Sequence, residues 1–291
     1  MSDWITIASD ELTAAIDPRG AELSSLTDAD GRELMTDADP AFWRGRAPLL
    51  FPIVGRLVDD RYRLDGREHA LEKHGFARRQ HFAVAHRGTD RITFCLTDND
   101  ATRAQYPFAF VLEIAFVLDG PTLAMTATVT NPGEAPLPFS FGYHPAFAWP
   151  LPFGQPRDAH RIEFAADEPD ALRSITPAGL IGPAPRPSPL VDRTLLLADD
   201  LFTDDALVWD HVRSRSLIYG APGAPRLEVA FPDSPALGIW TKPGARYVCI
   251  EPWAGHADPQ GYAGDFRDKP GAMQLAPGDS RSFRMHVTLT I

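Results

Sequence analysis

Phe139-Ser140-Phe141-Gly142-Tyr143-His144-Pro145-Ala146-Phe147 is the stretch around which the rest of the chain is organised. It places one histidine among four aromatic residues, and Gly142 and Pro145 fix the backbone on either side of it. We therefore expect the imidazole of His144 to be held rigidly in a partly apolar wall.

A second stretch, Arg246-Tyr247-Val248-Cys249-Ile250-Glu251-Pro252-Trp253, places a carboxylate at the end of an apolar strand. Pro252 is expected to turn the chain away directly after Glu251, because proline cannot donate to a sheet ladder. A rigid imidazole and a rigid carboxylate on two different strands are the parts from which a general acid and a general base are assembled.

The rest of the chain has the pattern of an antiparallel sheet. Short runs enriched in β-branched and aromatic residues alternate with turn signals such as Asp65-Gly66. The predicted strands are residues 4–7, 12–16, 23–26, a hairpin over 62–71, 82–86, 91–97, 108–118, 123–130, 216–219, 226–231, 236–241, 246–251 and 282–291. One turn of helix is predicted over 100–105, and no long amphipathic helix is present. The sequence predicts a single all-β domain over residues 1–291, a large antiparallel β-sandwich.

Two stretches rich in proline and glycine are predicted to be irregular. Residues 42–57 are apolar but are interrupted by two prolines and two glycines, so we expect a loop that lines a site. Residues 149–190 hold many of the 28 prolines and are predicted to form long irregular connections.

Composition limits the partners and the location. The formal net charge of −11 argues against nucleic acid or an anionic membrane as the main partner. Cys95 and Cys249 lie in apolar, strand-like runs and no secretory signal precedes them, so we expect buried free thiols and a cytoplasmic location. No apolar run approaches the ~18 residues that a membrane span needs.

Each candidate residue also has an ordinary structural interpretation. A histidine such as His144 is more often a hydrogen-bonded core residue than a catalyst. A buried Glu251 would be costly unless it were paired, for example with Arg246. Arg56 and His74 are as compatible with capping backbone carbonyls as with binding a ligand. A metal site is not expected, because the nine histidines show no pair at helical spacing with a third ligand.

Several short motifs follow one another along nearly the whole chain. They are Gly20-Ala21-Glu22-Leu23, Pro52-Ile53-Val54-Gly55-Arg56, Lys73-His74-Gly75-Phe76-Ala77-Arg78, Asn131 before Leu137-Pro138-Phe139, Gly142-Tyr143-His144-Pro145-Ala146-Phe147, residues 202–208 and Cys249-Ile250-Glu251-Pro252-Trp253. In this order they resemble the aldose 1-epimerase family, whose members are also called galactose mutarotase-like proteins. The resemblance implies a large antiparallel β-supersandwich of the galactose mutarotase-like type.

The resemblance also implies roles for individual residues. His144 stands where the family has its general acid, and Glu251 stands where it has its general base. Arg56, His74 and Asp205 fall at the family's sugar-binding positions, with Asp204 and Asp210 as alternatives to Asp205 close by in the sequence.

The chain departs from the classical members at two motifs. It has Gly-Tyr-His-Pro-Ala-Phe where they carry Asn-His-x-Tyr-Phe-Asn, and Gly-Arg-Leu-Val where they carry a longer Gly-Arg-x-x-Asn-Arg loop. It is similar to a divergent branch whose members often lack an assigned substrate, so specificity for galactose or glucose does not carry over.

The implied reaction is the interconversion of the α and β anomers of an aldose or hexose phosphate. It needs one base for the anomeric hydroxyl and one acid for the ring oxygen, and no cofactor. With reference pKa values of about 4.3 for Glu and about 6.5 for His, Glu251 is ready to accept a proton, and a neighbouring carboxylate is expected to keep His144 protonated. Tyr143, Trp253 and Phe147 are expected to offer flat apolar faces to the small-molecule sugar substrate.

Two other functions use the same residues differently. A non-catalytic carbohydrate-binding β-sandwich would use the aromatic residues but has no reason to place an acid and a base on one sugar ring. A glycoside hydrolase needs a second carboxylate about 5–10 Å from Glu251 in place of His144.

A local excess of positive charge bears on the substrate. The residues concerned lie in two loops of an otherwise acidic chain and are Arg44, Arg46, Arg56, Lys73, Arg78 and Arg79. Because an anion is best held by cationic donors, we hypothesise that a phosphorylated hexose is tolerated. The ordinary alternative is that these charges lie on solvated loop surfaces.

Overall fold

Strands dominate the computed structural model, which describes residues 3–291. The strands up to the centre of the chain are β1 (Ile5–Ala8), β2 (Leu12–Asp17), β3 (Glu22–Asp28), β4 (Leu49–Leu50), β5 (Arg61–Leu64), β6 (Arg67–Ala70), β7 (Ala83–Arg87), β8 (Arg91–Thr97), β9 (Val111–Asp119), β10 (Thr122–Thr130), β11 (Leu137–Phe139), β12 (Phe141–Tyr143) and β13 (Ala146–Ala148). The later strands are β14 (Arg161–Phe164), β15 (Leu172–Ile175), β16 (Ile181–Arg186), β17 (Thr194–Leu196), β18 (Leu207–Trp209), β19 (Ser216–Gly220), β20 (Arg226–Ala230), β21 (Ala236–Trp240), β22 (Tyr247–Ala254), β23 (Met273–Leu275) and β24 (Ser280–Thr290).

Helical structure among these residues is limited to short segments. The one α-helix, α1 (Asp100–Gln105), matches the predicted one-turn helix. Its start is fixed by reciprocal hydrogen bonds, because Thr102 N donates to Oδ1 of Asn99 and Asn99 N donates to Oγ1 of Thr102. Single 3₁₀ turns lie at Val58–Asp60, Ala77–Arg79, Arg157–Ala159, Asp199–Phe202 and Phe266–Asp268.

Two large sheets form the body of the molecule. One has nine strands in the order β17-β14-β19-β20-β24-β10-β9-β8-β7. The other has eight strands, in the order β16-β15-β18-β21-β22-β12-β4 with β13 also paired to β22. The pairings within both sheets are antiparallel, so the predicted all-β antiparallel fold class is confirmed.

The main core lies between the two sheets. Along β22, Val248 and Ile250 point into this core, whereas Cys249 belongs to a separate apolar cluster on the opposite face. Phe141 of β12 stacks on Phe283 of β24, with 5.2 Å between ring centroids, which joins the two sheets. Since successive residues of a strand face opposite sides, Glu251 lies on the outer face together with Cys249.

Pro252 does not turn the chain away as predicted. β22 continues through it to Ala254, with Pro252 opposite Leu237 of β21. On the other side of β22, the neighbouring ladder is interrupted between β12 and β13, so the missing N–H of the proline deprives no neighbour of a ladder hydrogen bond.

Residues 149–190 are also more regular than predicted, because they include β14, β15 and β16. Pro183 and Pro185 lie inside β16, which is the edge strand of the eight-stranded sheet. An edge strand tolerates proline because one side of it has no partner to receive an N–H.

Both cysteines are free thiols, but only Cys249 is fully buried, and Cys95 is half-buried. Within residues 3–291, no helix combines the length and the apolar character that crossing a membrane would require.

Candidate active site

A cavity of about 940 Å³ opens on the outer face of the eight-stranded sheet. Its wall includes Val208 of β18, Trp240 of β21, and Glu251 and Trp253 of β22, and its rim includes the β15–β16 hairpin. A water molecule takes up roughly 30 Å³ in the liquid. A hexose consists of six units of one carbon and one oxygen atom, each of about this volume, so the whole sugar fills about 200 Å³. The cavity therefore holds a hexose with room for a substituent.

The two residues predicted as acid and base meet in this wall. Nε2 of His144 lies 3.2 Å from Oε2 of Glu251, and the two residues are only 8% and 2% exposed. His144 lies in the short segment between β12 and β13, which is pinned to β22 because Ile250 N donates to the carbonyl of Pro145 at 3.1 Å. The structure thus supplies a backbone cause for the predicted rigidity of the imidazole.

The indole ring of Trp253 packs between two glycines, Gly142 and Gly238, beside this pair. A Cβ added at Gly142 would lie 2.6 Å from the indole ring, and one added at Gly238 would also lie 2.6 Å from it. Side chains at either position would therefore displace the ring from the cavity wall. Nε1 of Trp253 is buried and makes no hydrogen bond of normal geometry with the described residues, but it lies close enough to Glu251 for its N–H to lower the pKa of that carboxyl.

Burial opposes charge on both members of the pair. It lowers the pKa of His144 to about 3 and raises the pKa of the Glu251 carboxyl well above its ordinary value. Burial therefore outweighs the neighbouring carboxylate, which was expected to keep His144 protonated. Burial favours the pair as a carboxylic acid and a neutral imidazole.

Two tryptophans that the sequence did not single out enclose the imidazole. Trp43 stacks on His144 with 5.0 Å between ring centroids, and Trp240 meets it edge-on at 6.1 Å. Trp43 belongs to the 42–57 loop, which was expected to line a site. The sequence therefore indicated the loop but not the residue. Trp240 lies in an ordinary strand, β21, and only its register opposite Cys249 brings it to the cavity.

His74 lies in the cavity wall as a fixed hydrogen-bond donor. Its Nδ1 accepts a hydrogen bond from the backbone N–H of Gly55 at 3.1 Å, so the neutral ring carries its proton on Nε2. Burial lowers the pKa of His74 well below its ordinary value, which keeps the ring neutral. Its positive φ of 66° is the left-handed conformation that few side chains adopt, and such strain is typical of functional sites.

Lys73 and Arg78 bring positive charge to the same wall. Nη2 of Arg78 donates to the backbone carbonyl of Lys73 at 2.9 Å, which ties the two together. Within residues 3–291, no carboxylate forms an ion pair with Lys73. After burial, the positive charge of Lys73 has the largest influence on the pKa of Glu251, which it lowers.

The aspartates left open by the sequence are separated by the structure. Asp204 and Asp205 line the cavity, whereas Asp210 forms an ion pair with Arg173 at 2.7 Å and lies outside it. Asp205 has a positive φ of 74°, and its negative charge raises the pKa of Glu251. These positions favour Asp204 or Asp205 as the residue that faces a ligand.

Arg56 lies behind the rim rather than in the cavity wall. Its Nε is 3.2 Å from Oδ1 of Asp60, and its side chain packs beside Gly179, which does line the cavity. Direct contact between Arg56 and a sugar stays a prediction that requires its side chain to move.

The structure contradicts the predicted role of Tyr143 and of Phe147. Tyr143 is buried in the core between the sheets, where its hydroxyl donates to the carbonyl of Phe283 at 2.9 Å, and Phe147 is fully buried in the same core. The alternation of side chains in β12 explains the error: His144 follows Tyr143 directly and faces the opposite side of the sheet.

Most of the predicted cluster of positive charge is engaged elsewhere. Arg46 donates to the carbonyl of Thr36 at 2.7 Å, and Arg79 pairs with Glu72 at 2.7 Å. Arg44 is exposed and lies outside the cavity wall. The cavity instead combines Lys73 and Arg78 with two cations that were not predicted, Arg186 and Lys242.

Comparisons with known proteins agree with this architecture. The family model described as aldose 1-epimerase matches residues 3–288. The chromosomal LacX protein of Lactococcus lactis subsp. lactis is 30% identical over 296 residues, which cover 98% of this chain and 99% of that protein.

Two solved structures from lactobacilli have the same fold. A galactose mutarotase related enzyme from Lactobacillus acidophilus is 32% identical and superposes with a TM-score of 0.91, over 99% of this chain and 97% of that one. A galactose mutarotase-like protein from Lactobacillus casei ATCC 334 is 28% identical, with a TM-score of 0.92 over 99% of this chain and 100% of that one.

Proposed function

The chain belongs to the aldose 1-epimerase family, and from that premise we propose that it interconverts the α and β anomers of an aldose, with His144 and Glu251 as the acid–base pair. The observation that carries this proposal is the 3.2 Å separation of His144 Nε2 and Glu251 Oε2 in the wall of a cavity large enough for a hexose. Both atoms can reach neighbouring oxygens of one sugar ring.

The protons balance without any other reactant. Glu251 as a carboxylate takes the proton of the anomeric hydroxyl while the protonated His144 gives its proton to the ring oxygen, and the ring opens to the aldehyde. The C1–C2 bond rotates, and the reverse transfers close the ring with either configuration. The pair holds one proton before and after each step, so its net charge never changes.

This constancy of charge suits a desolvated wall. Burial favours the carboxylic acid and neutral imidazole, which is the state that the pair has beside the open-chain sugar. The ionised state has to be favoured by the hydroxyl groups of the ring-closed sugar. The positive charge of Lys73 helps only in part, because it lowers the pKa of both Glu251 and His144 and so favours the carboxylate but opposes the imidazolium. In this proposal His74 and Asp205 bind the other hydroxyls, and Trp253 packs on the apolar face of the sugar. All three residues line the cavity, which supports these roles.

The pH profile of kcat/KM tests this arrangement. Below the lowered pKa of His144, at about 3, the pair holds two protons and has no base, and above the raised pKa of Glu251 it holds none and has no acid. We expect the active range to extend beyond the window of about pH 4.3–6.5 that unperturbed Glu and His would give, at both ends. A bell-shaped profile with those ordinary limits, after subtraction of the spontaneous rate, would contradict the effect of burial.

Among the aldoses, we favour a hexose 6-phosphate as the substrate. The C6 substituent is attached next to the ring oxygen, so a phosphate lies on the His144 side when His144 protonates that oxygen. Lys73 and Arg78 line the same cavity, and their positive charges lie near enough to His144 to lower its pKa. Cationic donors of this kind bind phosphate oxygens by charge-assisted hydrogen bonds.

Replacing Lys73 by Met is expected to separate the two substrates. Loss of a charged hydrogen bond, at about 1.5–3 kcal/mol, lowers kcat/KM for glucose 6-phosphate by about 10-fold or more beyond the change for glucose. The change for glucose reports the loss of the Lys73 charge near Glu251, which acts on both substrates. Arg79→Met is the matched control, because Arg79 pairs with Glu72 outside the cavity. Rates for both sugars at two ionic strengths measure the effect, and a preference for glucose that does not respond to salt would leave a neutral aldose as the substrate.

Direct observation of anomer exchange tests the central proposal. NMR saturation transfer between the two anomers, or polarimetry after dissolving a pure anomer, reports the catalysed rate for a panel of aldoses and sugar phosphates. Chemical-shift changes on sugar binding without any acceleration would favour the alternative, a non-catalytic carbohydrate-binding protein.

Both thiols are free in the structure, which supports the cytoplasm as the place of the reaction.

A further inference from the structure

A buried thiol lies beside the acid–base pair, and the proposed reaction does not use it. Cys249 and Glu251 are two residues apart on β22, so their side chains point to the same face of the sheet. Single ligand atoms of His144, Cys249 and Glu251 all lie within 4.8 Å of one another. These three residues are the one such grouping of potential metal ligands found within residues 3–291.

We infer that His144, Cys249 and Glu251 form a binding site for a thiophilic divalent cation such as Zn²⁺ or Cd²⁺, which blocks the acid–base pair reversibly. The inference rests on the proposed function only for the consequence of binding, and not for binding itself. Nitrogen, thiolate and carboxylate ligands together are the set that Zn²⁺ takes. Ca²⁺ and Mg²⁺ prefer oxygen ligands alone and are not expected there.

The spacing of the ligand atoms is close to what such an ion requires. With bonds of about 2.0–2.3 Å in tetrahedral geometry, zinc holds its ligand atoms roughly 3.3–3.6 Å apart. The His144–Glu251 pair is at 3.2 Å, and the most distant of the three atoms is within 4.8 Å of the others. The sulfur atom of Cys249 has to move by about 1 Å to complete the site, and a small rotation of its side chain is enough for this movement.

The charges balance inside the protein. The carboxylate of Glu251 and the thiolate of Cys249 neutralise a divalent cation, while His144 adds a neutral nitrogen. Binding releases to solvent the protons of the thiol and the carboxyl, because both bind a metal ion in their deprotonated forms. A neutral assembly avoids the large penalty of an uncompensated charge in a desolvated wall.

The cavity offers a path to the site and an open coordination position. His144 and Glu251 line the cavity, whereas Cys249 closes the back of the site under the cluster that includes Trp43 and Trp240. Three protein ligands leave the fourth tetrahedral position facing the cavity, where water binds. Because the ion occupies the atoms that the sugar needs, metal and sugar exclude each other.

Cadmium titration of the intact protein tests the site without relying on activity. Cadmium thiolates have a charge-transfer band in the ultraviolet, so the difference spectrum of wild-type protein is expected to develop this band to an endpoint of one ion per chain. Cys249→Ser is expected to lose the band and to bind at least about 10²-fold more weakly, since loss of a ligand exceeds the 10–100-fold typical of losing its hydrogen-bond partner. Cys95→Ser, which changes the other thiol on β8, is expected to keep both.

Three results would overturn the inference: wild-type protein without the band, a band that survives Cys249→Ser, or one that is lost in Cys95→Ser. If circular dichroism shows that Cys249→Ser does not fold, the wild-type protein is titrated with cadmium in the presence and absence of an aldose. A bound aldose is expected to weaken cadmium binding, because both occupy the same atoms. Unchanged cadmium affinity at saturating sugar would then contradict the site. A band that persists in a protein without anomerase activity would disprove the proposed function and leave the metal site standing.

Discussion

Replacement of Glu251 by Gln is expected to lower the catalysed rate of anomerisation by about 10²-fold or more, which is the scale for removing a general base. The amide keeps the shape of the side chain but cannot take the proton of the anomeric hydroxyl. Sugar binding is expected to persist, because the other wall residues are unchanged. NMR saturation transfer gives the rate, and titration of sugar chemical shifts gives the affinity in the same samples.

The fold is not expected to suffer in this variant, because burial already disfavours the charged carboxylate of Glu251. Glu168→Gln is the matched control. Glu168 is also buried, but it accepts backbone hydrogen bonds from Arg213 at 2.8 Å and Ser214 at 2.7 Å outside the cavity. That variant is expected to lose about 1–3 kcal/mol of stability with its rate unchanged. A Glu251→Gln protein with a near wild-type rate would disprove the assignment of the base.

Replacement of His144 by Gln is expected to cause a loss of similar size. The amide nitrogen of Gln can donate a hydrogen bond from the place of Nε2, but it cannot transfer a proton to the ring oxygen. The double variant Glu251→Gln with His144→Gln is expected to be little slower than either single variant, because residues that act as one unit are strongly non-additive. Losses that multiply would show that the two residues act independently.

His160→Gln serves as the control for His144. His160 is buried as well, but its Nε2 accepts a hydrogen bond from Leu151 N at 2.9 Å outside the cavity. Its replacement is expected to lower the melting temperature without changing the rate. If instead His160→Gln slowed the reaction as much as His144→Gln, the loss would reflect a general disturbance of the fold.

The repeating strand pattern predicted the fold class, because alternation of apolar residues is a local property that a sequence displays. The faces of particular residues were harder to assign. Tyr143 and His144 are adjacent and similar in character, and only the position of β12 between β22 and β4 decides that His144 faces the cavity. Pro252 was misjudged for the same reason, since the interruption of the ladder opposite it depends on strands far away in sequence.

The residues of the candidate site also fall into those that a local sequence pattern indicated and those that only the fold brings to the cavity. His144, His74 and Glu251 stand in motifs whose composition was unusual enough to be noticed, and the structure brings them to one wall. Trp240 and Lys242 carry no such signal. Trp240 reaches the cavity through the register of β21 with β22, and Lys242 lies two residues beyond the end of β21. Arg46 and Arg79 were grouped with Lys73 by nearness in sequence, although their partners Thr36 and Glu72 hold them elsewhere.

The two glycines that clasp Trp253 set a boundary for engineering a new substrate into this cavity. Libraries that randomise Gly142 or Gly238 would mostly yield proteins with a displaced indole, since the added Cβ atom alone lies 2.6 Å from the ring in each case. The rim offers more freedom, because Thr203, Asp204 and Pro185 line the cavity and are exposed. Directed evolution of specificity should therefore start at the rim and leave the floor of the cavity as it is.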